Sequence, residues 1–129
     1  MAVHNQSIQR YQNLPKVELH RHLEGTLRLS TMVDVAKTSP IHLPEGAREN
    51  LRALVQVQAG DPYTFRNFLS KFETLRLFYH SPEIIQRVAR EAVEDAAADN
   101  IHYMELSFTP VALSRKKDFH LGDVMDWVV

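Results

Sequence analysis

The chain has 129 residues, 44% apolar and 24% charged, with a formal net charge of −1 and no cysteine. This is a globular composition, and its balanced charge argues against a nucleic-acid or membrane-surface role, which needs an excess of positive charge. Without cysteine there are no disulfides and no thiolate metal sites, so any metal must be held by His, Asp or Glu.

Residues 1–13 are polar and carry no clear period, which reads as an N-terminal arm or a short lead-in helix; residues 14–129 form the remaining unit. Lys16 to Leu23 (KVELHRHL) alternates like a strand. Val17, Leu19, Arg21 and Leu23 fall on one face, and Glu18, His20 and His22 on the other. Gly25 ends this strand and is expected to let the backbone turn tightly. Leu29 to Lys37 reads as a short helix with Ser30 as N-cap and Met32, Val33 and Ala36 buried. Residues 38–60 hold two prolines and two glycines and read as loop, with one helical turn near Arg48–Leu54.

Asp61-Pro62 has the form of a helix start, a capping Asp with Pro at the first helical position. Phe65, Phe68, Leu69, Phe72 and Leu75 then recur at helical spacing. Ser81-Pro82-Glu83 opens the next helix in the same way, and its apolar stripe from Ile84 to Ala96 runs to about Asp99, with Asn100 as the stop. Tyr103 to Thr109 (YMELSFT) is a second strand bounded by Pro110, and Leu121 to Val129 begins another amphipathic helix. Two strands separated by long helices predict parallel pairing in an α/β fold. Two strands alone cannot bury both faces of a sheet, so more polypeptide is expected after Val129. No apolar run approaches a membrane span and the N-terminus lacks a signal-peptide core, so a cytoplasmic protein is the default expectation.

His20 and His22 are the leading chemical feature. Seven histidines in 129 positions give roughly 0.4 His-x-His pairs by chance, so the spacing alone is weak. On a strand, however, residues two apart point the same way, roughly 6–7 Å apart at the root, and two imidazoles so placed can converge on one ion. Read from spacing alone, the alternative is a pair of partly buried histidines bonded to backbone carbonyls. His4, His42, His80, His102 and His120 show no ligand spacing and read as surface or capping residues, and Lys116-Lys117 as a solvated loop pair.

The run LPKVELHRHLEGTLR (Leu14–Arg28) closely resembles the signature of the adenosine deaminase family. FLSKFETL (Phe68–Leu75) resembles the family's lid helix, and YMELSFTP (Tyr103–Pro110) its second barrel strand. The resemblance implies the N-terminal part of a metal-dependent (β/α)8 TIM-type barrel that hydrolyses the exocyclic amine of a purine, converting adenosine and water to inosine and ammonia. It places one zinc ion on His20 and His22, leaving a coordination position for water, whose pKa the metal lowers toward neutrality. It also places substrate contacts on His22, Glu24, Phe68 and Phe72. Glu24 stands where adenosine-specific members usually have Asp, so adenine or another adenosine-like nucleoside is the alternative substrate. Phe65, Phe68, Leu69 and Phe72 would cover the purine and exclude water, or else simply pack as the core of an amphipathic helix. Ser107 stands where many members carry Arg, a departure that concerns the barrel interior. Glu18 would orient a ligand or pair with a basic group in the barrel floor.

The family's remaining metal ligands and its proton-transferring residues come from later strands, so no catalytic acid or base is expected in this chain. The resemblance therefore implies an incomplete, inactive piece of the enzyme. A non-catalytic fragment that associates with itself or a partner is the alternative from another class. Purine nucleoside or base is the expected ligand, with no nucleic acid and no membrane.

Overall fold

The computed structural model describes residues 10–39, 41–43, 50–114 and 118–129. A helical turn at residues 10–12 leads into strand β1, Lys16–His22. A 3₁₀ turn, Leu23–Gly25, follows directly, so the strand ends one residue before the expected Leu23. Helix α1 is Leu29–Thr38, α2 is Leu51–Val55, and α3 is Phe65–Leu75, continued by a 3₁₀ turn over Arg76–Phe78. Helix α4 is Pro82–Ala98, β2 is Ile101–Ser107, α5 is Pro110–Ser114 and α6 is Leu121–Val128. No helix among the described residues is long and apolar enough to cross a membrane.

Three of the helices start behind a side-chain cap. The Ser81 side chain accepts the Ile84 N–H, and Pro82 occupies the first turn of α4, as its sequence predicts. Asn100 ends that helix in the left-handed region, φ 56°, a conformation Asn tolerates better than most residues. The chain then enters β2 at Ile101, two residues earlier than expected. His120 caps α6 by accepting the Gly122 N–H on Nδ1.

Two expected caps are corrected. Arg28, not Ser30, is the N-cap of α1, and it makes no side-chain cap bond. Helix α3 begins at Phe65 behind Thr64, whose hydroxyl accepts the Asn67 N–H at 3.2 Å. Asp61 is drawn away from the helix: its carboxylate accepts the Gln58 N–H at 3.1 Å and pairs with Lys71 at 3.1 Å. Those contacts, the backbone bond first and the ammonium next, hold the Asp61 carboxyl below its ordinary range. The helical turn expected over Arg48–Leu54 overlaps α2 only from Leu51, since residues 44–49 lie outside the described residues, as do 1–9 and Lys116-Lys117. The short helix α5 had no counterpart in the sequence reading.

β1 and β2 pair in parallel, with α1 to α4 between them in sequence. Their register departs from simple alternation. Val17 pairs with Tyr103 and His22 with Ser107, whereas Glu18 pairs with Met104 and Arg21 with Leu106. One extra residue of β1 is therefore accommodated between Glu18 and Arg21, in the manner of a bulge. This corrects the expected faces: Glu18 shares a side with Arg21, to which it is ion-paired, and not with the histidines.

The core lies on one side of the sheet. Leu23, Met32, Val35, Phe78, Tyr79, Ile85, Val88, Ala92, Leu113 and Val124 are buried together, and Leu106 packs against them. Val33, expected in the α1 stripe, is exposed, and Thr31 and Val35 are buried in its place. Val17 and Leu19 remain 65% and 61% exposed, an uncovered apolar surface on β1. A second polar layer staples α1 to α4. Arg28 forks onto Asp95 with contacts of 2.7–3.1 Å and reaches Glu94 at 3.1 Å. The buried Glu91 accepts from Thr31 Oγ1 at 2.6 Å and from Arg87 Nε at 2.8 Å.

Candidate metal and substrate site

The first strand ends on the two histidines. Two residues apart at the end of the strand, both rings lie to one side, where their Nε2 atoms stand 3.1 Å apart. The rings meet edge to face with centroids 4.9 Å apart. Both are exposed, and an open cleft of about 340 Å³ runs from Glu18 and Arg21 past them to Gly25, Thr26 and Asp95. A tetrahedral ion with bonds of about 2.05 Å holds neighbouring ligand nitrogens about 3.3 Å apart, so the observed separation suits two corners of such a site. Among the described residues no group of three or more His, Asp or Glu is placed to hold a metal ion. The pair by itself offers two imidazole nitrogens and no third protein ligand among the described residues.

Beside the pair lies helix α3. Phe72 presents its ring edge-on to His22 with centroids 6.4 Å apart, and Phe68 meets Phe72 at 5.3 Å. The Arg76 guanidinium sits over Phe72, 5.9 Å from its centroid. Phe72 is half-buried, whereas Phe68, Leu69 and Phe65 are exposed, Phe65 at 74%. Core packing therefore accounts for Phe72 and Leu75 but not for the outer part of the stripe.

The turn after the strand is buried. Glu24 is 1% exposed, which excludes a solvated loop carboxylate. Its Oε1 accepts the Thr109 N–H at 2.9 Å, and its Oε2 has no hydrogen-bond partner among the described residues. Gly25 has no left-handed φ, and a Cβ there would meet only the Phe72 ring, at 3.9 Å, so the expected need for a tight glycine turn is not found.

The model of the adenosine deaminase family matches residues 15–129. The chain belongs to the adenosine deaminase family. An adenosine deaminase from Clostridium botulinum (strain Loch Maree) is 35% identical over 119 residues, covering 92% of this chain and 35% of that protein. One from Klebsiella pneumoniae (strain 342) is 35% identical over 117 residues, covering 91% and 35%. Among solved structures, an amidohydrolase from Burkholderia ambifaria with bound Zn superposes with a TM-score of 0.71 at 29% identity, covering 92% of this chain and 31% of that one. Arabidopsis ADAL complexed with IMP superposes with a TM-score of 0.69 at 25% identity, covering 93% and 34%. The chain spans about 35% of the length of the curated relatives it matches. Its two parallel strands and helices are the N-terminal part of the TIM-type barrel of this family.

In this adenosine deaminase fold the sequence-marked residues are brought together unevenly. His20, His22, Phe72 and Phe68 form a continuous row of rings. Glu24, two residues after His22, is buried and is not part of the cleft lining. Ser107 pairs with His22 on the exposed side of the sheet.

One neighbour escaped the sequence reading. The phenol of Tyr79 donates to the Leu23 carbonyl at 2.6 Å, between His22 and Glu24. Burial first, and then the charge of Glu24, push the Tyr79 phenol well above its ordinary pKa, so it stays a donor. The apolar run Leu77-Phe78-Tyr79 ahead of the Ser81 cap signals burial, but nothing in it names the carbonyl that receives the hydroxyl.

Proposed function

We propose that this chain supplies the first-strand portion of a zinc-dependent purine deaminase, which hydrolyses the exocyclic amine of adenosine to give inosine and ammonia. His20 and His22 are its two contributions to the metal shell, and the 3.1 Å separation of their Nε2 atoms is the observation that carries this reading. A divalent ion there would supply acidity to water at neutral pH. His22 and the row Phe72–Phe68 would line the purine, the aromatic rings excluding water from it. The free Oε2 of Glu24 suits a hydroxyl or amine donor on the substrate, since a buried carboxylate oxygen without a partner is costly. Its extra methylene relative to Asp keeps adenine and other adenosine-like nucleosides as the alternative substrates.

The remaining ligands and the proton-transferring groups lie in polypeptide outside these residues. Taken alone, the chain is expected to release no ammonia. Assaying ammonia from adenosine and adenine, with zinc supplied, tests both parts. Turnover by the 129-residue chain alone would show that its own residues suffice, whereas no turnover by the intact protein on any purine would overturn the assignment.

A second reading, self-association of the chain by itself, is favoured by the exposed Val17, Leu19 and Tyr103 on the sheet. Sedimentation of the isolated chain checks it. A monomer at micromolar concentration argues against it.

A further inference from the structure

The Leu23 carbonyl is the most heavily bonded backbone group around the site. It accepts from Thr26 N at 3.0 Å, from Thr26 Oγ1 at 2.9 Å and from Tyr79 Oη at 2.6 Å. The two Thr26 bonds are local and close the 3₁₀ turn. The Tyr79 bond comes from 56 residues away in sequence and is the long-range one. Leu23, Glu24 and Tyr79 are all essentially inaccessible to water. The peptide between His22 and Glu24 is therefore gripped by a side chain that makes no hydrogen bond to either ring of the histidine pair.

We propose that Tyr79 is a positioning residue: its phenol fixes the Leu23 carbonyl and thereby sets the aim of His22 into the cleft and the placement of the buried Glu24 beside it. The grip is directional because the ring is itself wedged in the core beside Phe78, where close packing leaves it little freedom. The same geometry makes the idea separable from plain stability. If Tyr79 becomes Phe, the ring still fills its place and Leu23 O keeps both Thr26 donors, so no buried acceptor is orphaned.

The test is Tyr79→Phe in the intact protein, read in two ways. The first follows the imidazole resonances of His20 and His22 by NMR in the metal-free protein, alongside the thermal midpoint. Positioning predicts that the His22 ring signals move while the midpoint stays near wild type. The second measures zinc dissociation, expected to weaken about tenfold, as for other outer-shell partners. This arm rests on the metal reading above, and the first does not. If wild type binds no zinc but the His22 signals still move, the metal reading falls and the positioning role stands. Unchanged His22 signals overturn the proposal, whatever happens to the midpoint, because a merely structural role moves the midpoint and leaves the imidazoles alone. If Tyr79→Phe does not fold, site-specific 3-fluorotyrosine at position 79, which keeps the hydroxyl, strengthens it as a donor and adds one fluorine to the ring, is the second variant: His22 signals that move support positioning, and signals that stay overturn it.

Discussion

Glu24 Oε1 accepts the backbone N–H of Thr109 at 2.9 Å, so a side chain from the end of β1 closes onto the chain just past the end of β2. The residue that would face a substrate is thus also a strut between the only two strands described. Glu24→Ala removes the acceptor of the Thr109 N–H, a bond to a charged group, at a cost of about 1–2 kcal/mol. Glu24→Gln keeps a carbonyl oxygen in reach and should recover most of that loss. Urea unfolding followed by circular dichroism compares the two, and equal stability of Glu24→Ala and wild type would remove the strut from consideration.

Glu91 makes the complementary case on the helical side. It is buried, and it is the shared acceptor of the fully buried Thr31 hydroxyl and of Arg87. Glu91→Ala leaves the Thr31 hydroxyl without its acceptor and is expected to cost about 2 kcal/mol, whereas Glu91→Gln, which can still accept from Thr31, should cost roughly half as much. The partly exposed Arg28–Asp95 fork should matter less and lose its effect in salt. A double-mutant cycle of Arg28→Ala and Asp95→Ala at low and high salt reads this directly. Coupling that persists in high salt would contradict it.

Tyr79 also sets an alkaline limit. Its folded-state pKa is raised above the ordinary value near 10. Below that value the phenol is neutral in both states and its contribution is fully present. As pH rises past about 10, the unfolded chain ionises first, so stability is lost progressively with pH. Tyr103, whose pKa is raised by its bond to Glu105, works in the same direction but is exposed. Thermal midpoints between pH 8 and 11 should fall more steeply in wild type than in Tyr79→Phe. Parallel curves would assign the alkaline loss to other groups.

The parts of this fold that could be read from the sequence are those decided within a few residues. Ser81-Pro82 starts α4 because a hydroxyl and a ring suffice to start a helix there, and Asn100 ends it because a short polar side chain tolerates positive φ. Parallel pairing of the two strands followed from the helices between them. Glu18 was misplaced because strict alternation assumes an unbroken pleat, and the extra residue of β1 is set by its register against β2. Asp61 had every local mark of a cap, yet Lys71, ten residues on, holds its carboxylate elsewhere. The closeness of the two histidine rings was legible because their spacing is local to one strand. The destinations of Glu24 and Tyr79 were not, since each side chain ends on a backbone group more than fifty residues away.

The histidine pair allows a prediction that separates chemistry from folding. Both rings are exposed, and among the described residues their hydrogen-bonding contact is with each other, Nε2 to Nε2, so neither supports the core. His20→Ala and His22→Ala are each expected to leave the unfolding midpoint within about 0.5 kcal/mol of wild type, as for most surface changes. Each should nevertheless abolish zinc retention by the intact protein if the proposed ligand role holds, because one imidazole cannot replace a pair that would span two corners of the shell. The double variant should then lose no more than either single one, a strongly non-additive result expected of residues acting as a unit. Metal content after desalting gives the answer. Zinc retained by the double variant, with deamination intact, would place the ion on other residues and leave the 3.1 Å contact as a simple hydrogen bond between two rings.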